Sequence, residues 1–234
     1  MAERLTFDVG ERTSSALAYH AATGTRGDAT LVLAHGAGAP QQSAFMVDFA
    51  KGLASRGLDV LTFNFLYTEQ RRRVPDRTEA LDACYRAAVG AARRHFARDR
   101  VFIGGKSMGG RIATHLAASE DADALGIAGV VLLGYPLHPP GKPDQPRTAH
   151  LPRIRTPLLI VQGERDPFGT PGELRTVIAT LNTEVTLRAV PSGDHSLAPS
   201  RRADAVAAVY SQLQDEIAAW IAGSGRLGGP LPPG

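Results

Sequence analysis

The stretch Gly104-Gly105-Lys106-Ser107-Met108-Gly109-Gly110-Arg111, GGKSMGGR at residues 104–111, admits two readings with unrelated chemistry. Gly-Lys-Ser is the end of a phosphate-binding loop, or Ser107 is a nucleophile on a tight turn. The first reading needs a glycine at position 100, then four residues free to curl their amides around phosphates. Position 100 is Arg100, and Val101-Phe102-Ile103 has the look of a strand, which leaves no loop to curl. What remains is Gly105-x-Ser107-x-Gly109, the strand–turn–helix elbow that exposes a serine hydroxyl. Glycines two before and two after the serine let strand and helix pack closely around a strained backbone. The hydroxyl then stands at the carboxyl end of its strand, over a helix N-terminus whose dipole favours developing negative charge.

The chain on either side supplies the context this elbow requires. Short runs rich in β-branched residues fall at 30–35 (TLVLAH), 59–66 (DVLTFNFL), 100–105 (RVFIGG), 128–136 (AGVVLLGYP), 157–163 (PLLIVQG) and 184–191 (EVTLRAVP). Their apolar residues are nearly continuous, as in strands covered on both faces. Between them lie helical patterns: Phe45, Phe49 and Leu53, then Leu81, Cys84, Ala88, Ala91 and Phe96. A last helix carries Val206, Val209, Leu213, Ile217 and Trp220 on one face. Strands alternating with helices predict an α/β fold, a mostly parallel sheet wrapped on both sides. RLTFDVG and SSALAYHA near the start read as an antiparallel edge hairpin. A single domain over 1–222 is expected, with 223–234 (GSGRLGGPLPPG) a flexible C-terminal tail.

A serine hydroxyl attacks only when a base takes its proton and an acid holds that base in one tautomer. Both partners are found beyond later strands. Asp166, in GERDPFG, follows a buried strand in a turn set by Pro167, with Glu164 as a substitute. His195, in SGDHS, follows the final strand in a glycine-containing loop, beside Asp194 as another substitute acid. The order Ser, Asp, His, each at a strand's carboxyl end, is that of the α/β-hydrolase arrangement. An oxyanion hole is expected from the backbone N–H groups of Met108 and Ala37, with Gly38 the alternative to Ala37, because His35-Gly36-Ala37-Gly38 ends a strand in small residues. His35 itself reads as an anchor for that loop. Lys106 reads as a solvent- or helix-facing side chain.

Five ordered motifs, AHGAGAP, GGKSMGGR, GYPLHPPGKP, GERDPFG and SGDHS, resemble those of the α/β-hydrolases near the dienelactone-hydrolase group. They are most similar to the hydrolase-like family that contains a testis-expressed protein and a domain of a histone-acetyltransferase-complex subunit. The resemblance spans about residues 30–221. It implies an eight-stranded, mostly parallel sheet and a Ser107–His195–Asp166 triad. Dienelactone hydrolases proper use a cysteine nucleophile, and here the one cysteine, Cys84, sits in a helix, so their substrate does not carry over.

The expected function is a serine hydrolase of the carboxylesterase type, cleaving an ester, lactone or thioester through an acyl-enzyme. The alternative is a catalytically silent hydrolase-like scaffold or binding protein. No cofactor or metal is expected. About twenty residues, PLHPPGKPDQPRTAHLPRIR, separate two strands where many such enzymes insert a helical cap. They are too few and too Pro-rich for a sizeable one, predicting an open cleft edged by this segment and by LYTEQRRRVPDR. Lys142, Arg147 and Arg71–Arg73 are candidates to favour anionic acyl groups, against the plainer reading of solvated surface charge. A net charge of +3 with no long basic block argues against nucleic acid as partner. With one cysteine, no basic-then-apolar leader and no long apolar run, the expectation is a cytoplasmic protein, not membrane-bound, a monomer or small homo-oligomer.

Overall fold

A computed structural model describes residues 2–24 and 27–224. In chain order its strands are β1 (Glu3–Val9), β2 (Arg12–Tyr19), β3 (Ala29–Ala34), β4 (Asp59–Phe63), β5 (Arg100–Lys106), β6 (Ile127–Leu133), β7 (Leu158–Gly163) and β8 (Val185–Val190). They form one sheet in the order β1-β2-β4-β3-β5-β6-β7-β8. The hairpin β1–β2 joins β4 antiparallel at the edge, and every pairing from β4 to β8 is parallel. This is the α/β-hydrolase fold. The helices are α1 (Ala44–Ser55), α2 (Leu66–Glu69), α3 (Thr78–Phe96), α4 (Met108–Ala117), α5 (Ala122–Leu125), α6 (Pro171–Ile178) and α7 (Ala203–Gly223).

Strand residues alternate between two apolar layers, as the pleat requires. Leu31 and Leu33 of β3, Phe102 of β5, Val131 and Leu133 of β6 and Leu159 and Val161 of β7 pack with Met46, Phe49 and Leu53 of α1 and Leu213, Ile217 and Ile221 of α7. Their neighbours Val32, Ile103, Val130, Leu132, Leu158 and Ile160 face the other layer, with Leu81, Tyr85 and Ala88 of α3, Ile112 and Leu116 of α4 and Leu174 of α6. Two-sided burial explains the unbroken apolar runs of the central strands. The last strand, β8, is paired on one side alone, and five of its six residues are half-buried.

Two expected boundaries and one expected helix face shift. β4 stops at Phe63, since Asn64 turns the chain into the single helical turn α2. In α7, Leu213, Ile217 and Ile221 are buried whereas Trp220 is half-buried, packed edge-on to Phe102 at 6.0 Å. That helix also takes in Gly223, the first residue of the stretch expected as a tail. The rest of that stretch, 225–234, lies outside the described residues. The segment between β6 and β7 holds only the 3-10 turn Leu151–Arg153, so no helical cap covers the carboxyl edge there. No described helix is long and apolar enough to cross a membrane.

Parallel registers set the site. Ala34 lies opposite Gly105, Lys106 opposite Leu133, Leu133 opposite Val161, and Gly163 opposite Val190. The loops after β3, β5, β6, β7 and β8 therefore emerge along one edge, although they are far apart in the chain.

Candidate active site

Ser107 is the residue between β5 and α4, with φ 50° and ψ −114°, a left-side conformation that a non-glycine residue adopts only under constraint. The constraint is packing. A Cβ on Gly105 would fall 2.6 Å from Ala34 O and 2.6 Å from Gly109 C, and one on Gly109 would fall 2.6 Å from His35 O. Only bare glycines allow β5, α4 and the end of β3 to approach so closely, as expected for the elbow. The Ser107 N–H donates to Leu133 O at 3.0 Å, tying the turn to β6. Below the turn, the fully buried Tyr85 of α3 bridges two strands. Its hydroxyl accepts from the Gly104 N–H at 2.9 Å and lies 2.8 Å from Val32 O.

The side chains of Ser107, His195 and Asp166 meet above this edge. Ser107 Oγ lies 2.9 Å from His195 Nε2, and His195 Nδ1 lies 2.8 Å from Asp166 Oδ2. Asp166 is buried, and its other oxygen accepts from the Phe168 N–H at 2.9 Å. The ring of Phe168 packs against the imidazole, tilted by 32° with centroids 4.2 Å apart, and so restrains the plane of His195. The substitute acids are engaged elsewhere. Glu164 accepts from the Ser192 N–H at 3.0 Å, and Asp194 accepts from the N–H groups of Ser196 at 2.8 Å and Ala198 at 3.1 Å.

The loop after β3 lies beside the elbow. A Cβ on Gly36 would be 3.6 Å from Ser107 Cβ, and Gly36, Ala37 and Met108 all line the cleft that contains Ser107 and His195. Gly38, with φ 77°, is not among the lining residues. His35 is buried and anchors this loop, as expected: Nδ1 donates to Gly36 O at 2.8 Å and Nε2 accepts from the Phe65 N–H at 3.2 Å. Burial, opposed by the Gly36 carbonyl, pushes its pKa down to about 4, so the imidazole is neutral. The Cys84 thiol is pushed up to about 12 by burial, which removes it as a nucleophile.

Three side chains at this site escape a reading of the sequence alone. Gln162 of β7 is wholly buried; its Nε2 donates to Asp166 Oδ2 at 2.9 Å and to Gly169 O at 2.7 Å, and its Oε1 accepts from the Tyr135 N–H at 2.8 Å. One amide thus joins the loops after β6 and β7 and holds the carboxylate. The signal for it was a lone polar residue inside the apolar run LLIVQG. Lys106 is half-buried: it lines the cleft, donates to the backbone carbonyl of His195 and lies 5.8 Å from the ring centroid of Phe45 on α1, a helix-facing position that also borders the site. Burial lowers its pKa to about 8, against the pull of Asp166 and Asp194. Arg111, one helical turn beyond Ser107, also lines the cleft.

The cleft encloses about 640 Å³, within the range of small-molecule sites. From the segments expected to edge it come Pro75, Asp76, Pro136 and Arg147, whereas Arg71–Arg73 and Lys142 are not among its lining residues.

A mostly parallel eight-stranded sheet with a G-x-S-x-G turn closing its fifth strand defines an α/β hydrolase. The chain belongs to the alpha/beta hydrolase domain family, which matches residues 27–222. Among solved structures it is similar to an α/β serine hydrolase homologue from Coxiella burnetii, at 16% identity and TM-score 0.73, over 93% of this chain and 96% of that one. It is similar also to the dienelactone hydrolase of Anabaena variabilis ATCC 29413, at 21% identity and TM-score 0.71, over 92% and 95%. A third likeness is to a lidless α/β serine hydrolase from Xanthomonas campestris, at 18% identity and TM-score 0.68, over 99% and 97%. At these identities the likeness is one of fold.

Proposed function

We propose that this protein is a serine hydrolase acting on an ester, lactone or thioester through an acyl-enzyme. One observation carries the reading: the unbroken contact chain from Ser107 Oγ through His195 to Asp166, at 2.9 and 2.8 Å. His195 Nε2 takes the Ser107 proton as Oγ attacks the carbonyl carbon, and Asp166 stabilises the imidazolium and keeps its tautomer. The tetrahedral oxyanion is held by the N–H groups of Met108 and Ala37. Met108 is the first residue of α4, where backbone donors lack intrahelical partners and the dipole adds to the field. The protonated His195 then gives its proton to the departing alcohol or thiol, and the same imidazole activates water against the acyl-enzyme. No step in this sequence calls on a cofactor or metal. The motif likeness to the family of the testis-expressed protein supports placing the chain in that branch.

A fluorophosphonate probe tests the assignment. The wild type should be labelled once, on Ser107, as read by mass spectrometry of the tryptic peptide. Ser107→Ala should lose both the label and turnover of short-chain 4-nitrophenyl esters. Full esterase activity in that variant, or an unlabelled wild type, would refute the triad and favour the silent-scaffold alternative.

A further inference from the structure

We propose that the cleft beside Ser107 selects esters that carry an oxyanion, a carboxylate or phosphate, and that Arg111 and Arg147 hold it. This inference rests on the hydrolase reading above and narrows its substrate class.

Both arginines are half-buried and line the same cleft as Ser107 and His195. Arg111 is carried on α4, where its N–H donates to Ser107 O at 3.0 Å, so its side chain starts one turn from the nucleophile. Arg147 comes from the segment between β6 and β7. That segment is pinned by the Tyr135 hydroxyl donating to Arg147 O at 2.7 Å and by the Arg147 N–H donating to Leu137 O at 2.8 Å. Two distant parts of the chain thus converge two guanidinium groups on one opening.

Among the described residues, neither guanidinium forms an ion pair with a carboxylate, although seven other arginines do. The Arg111 side chain bonds instead to His115 Nε2 at 3.3 Å. That partner is uncharged, held down to about 4 by burial and then by Arg111 and Arg153. His115 stacks on His150 at 3.9 Å between centroids, and His150 is held still lower, to about 3, by burial and the same positive surroundings. Of the acids nearby, Asp76 lines the cleft but is engaged by Arg72, and Asp82, pushed up to about 6 by burial, attracts Arg111 without forming an ion pair with it. Lys106 adds a third basic group to the same wall.

A half-buried cation with no ion-pair partner is under-compensated, and an anionic ligand supplies that partner on binding. Guanidinium presents a planar fork of donors that matches two oxygens of a carboxylate or phosphate, which an ammonium does not. A neutral fatty ester gains nothing from such a wall and has to bury its chain against it.

Matched ester pairs test the inference. One pair carries the charge on the acyl side, 4-nitrophenyl hydrogen glutarate against 4-nitrophenyl methyl glutarate. The other carries it on the alcohol side, 4-acetoxybenzoate against its methyl ester. In at least one pair the wild type should favour the anion in kcat/KM by about 10- to 100-fold, the range of one or two charged hydrogen bonds. Arg147→Gln and Arg111→Gln should bring that ratio toward unity, Arg147→Lys should restore part of it, and Arg202→Gln, at an exposed arginine paired with Asp204 and outside the cleft lining, should not move it. A ratio near one in both pairs, or a ratio that survives in both glutamine variants, overturns the inference. Arg147 is at a loop, so its variant remains informative should Arg111→Gln fail to fold. Calorimetric titration of Ser107→Ala with glutarate and, separately, inorganic phosphate separates this question from catalysis. Binding of either, lost in the added Arg147→Gln change, supports the subsite and says which oxyanion it prefers. Silence in both titrations, with the wild type still labelled by fluorophosphonate, sinks the subsite and leaves the hydrolase standing.

Discussion

Replacing Gln162 with leucine separates packing from hydrogen bonding at the base of the site. The two side chains are of similar size, so the buried space between β6 and β8 stays filled. What goes is the amide that donates to Asp166 Oδ2 and Gly169 O and accepts from the Tyr135 N–H. Because Gln162 is wholly buried, water does not replace it, and Tyr135 N–H and Gly169 O are left unpaired. Each such group costs about 1–3 kcal/mol, and partial relaxation of the two loops puts the total at about 2–4 kcal/mol. For a chain of this length that is a fall in Tm of about 5–15 °C. Asp166 keeps His195 and the Phe168 N–H, so its carboxylate loosens without being released. We therefore expect kcat on a 4-nitrophenyl ester to fall about tenfold with KM little changed, since orientation of the base is used in the transition state. Thermal unfolding and steady-state kinetics, both well below the new Tm, read the two effects. A variant melting within about 2 °C of the wild type, with kcat intact, would show that the amide is not the clamp described.

Asp166→Asn should lower kcat by about 10⁴-fold, the scale found when the acid of a serine triad loses its charge, while Glu164→Gln and Asp194→Asn stay within about tenfold of the wild type. Equal losses at all three would undo the choice of Asp166. Lys106 makes a pH-dependent claim. Its folded pKa, about 8, lies below the ordinary lysine value of 10.5, so between these limits the unfolded chain binds the extra proton and stability rises with pH. Against Lys106→Met, the wild type should gain up to about 3 kcal/mol from pH 8 to 10.5, with no relative change below 8. Parallel denaturant midpoints across that range would contradict the burial described for this side chain.

Much of the architecture was legible because it rests on short-range chemistry. Alternating strand and helix periods named six parallel strands and the edge hairpin, and a two-sided sheet follows from their unbroken apolar runs. Gly105, Ser107 and Gly109 declared the elbow, since the steric demand of that turn falls on adjacent residues. Asp166 and His195 were legible by position, each in a loop at a strand's carboxyl end. The roles of neighbouring polar residues were not. Lys106 read as a solvent- or helix-facing side chain, and nothing local told that its ammonium would also reach the His195 carbonyl 89 positions away. Arg111 looked like a helix arginine, and Arg71–Arg73, more conspicuous in the sequence, do not line the cleft.

The sequence by itself determined the fold class, the strained serine and the order of the three candidate catalytic groups. It did so because periodicity and glycine placement act through neighbours along the chain. Tertiary structure alone decided which carboxylate faces the imidazole, that Gln162 braces it, and that two arginines share one opening. Those facts depend on strand register and on where loops from different strands come to rest. A hydrogen bond a few tenths of an ångström too long is lost, and no local pattern in the chain carries distances of that kind.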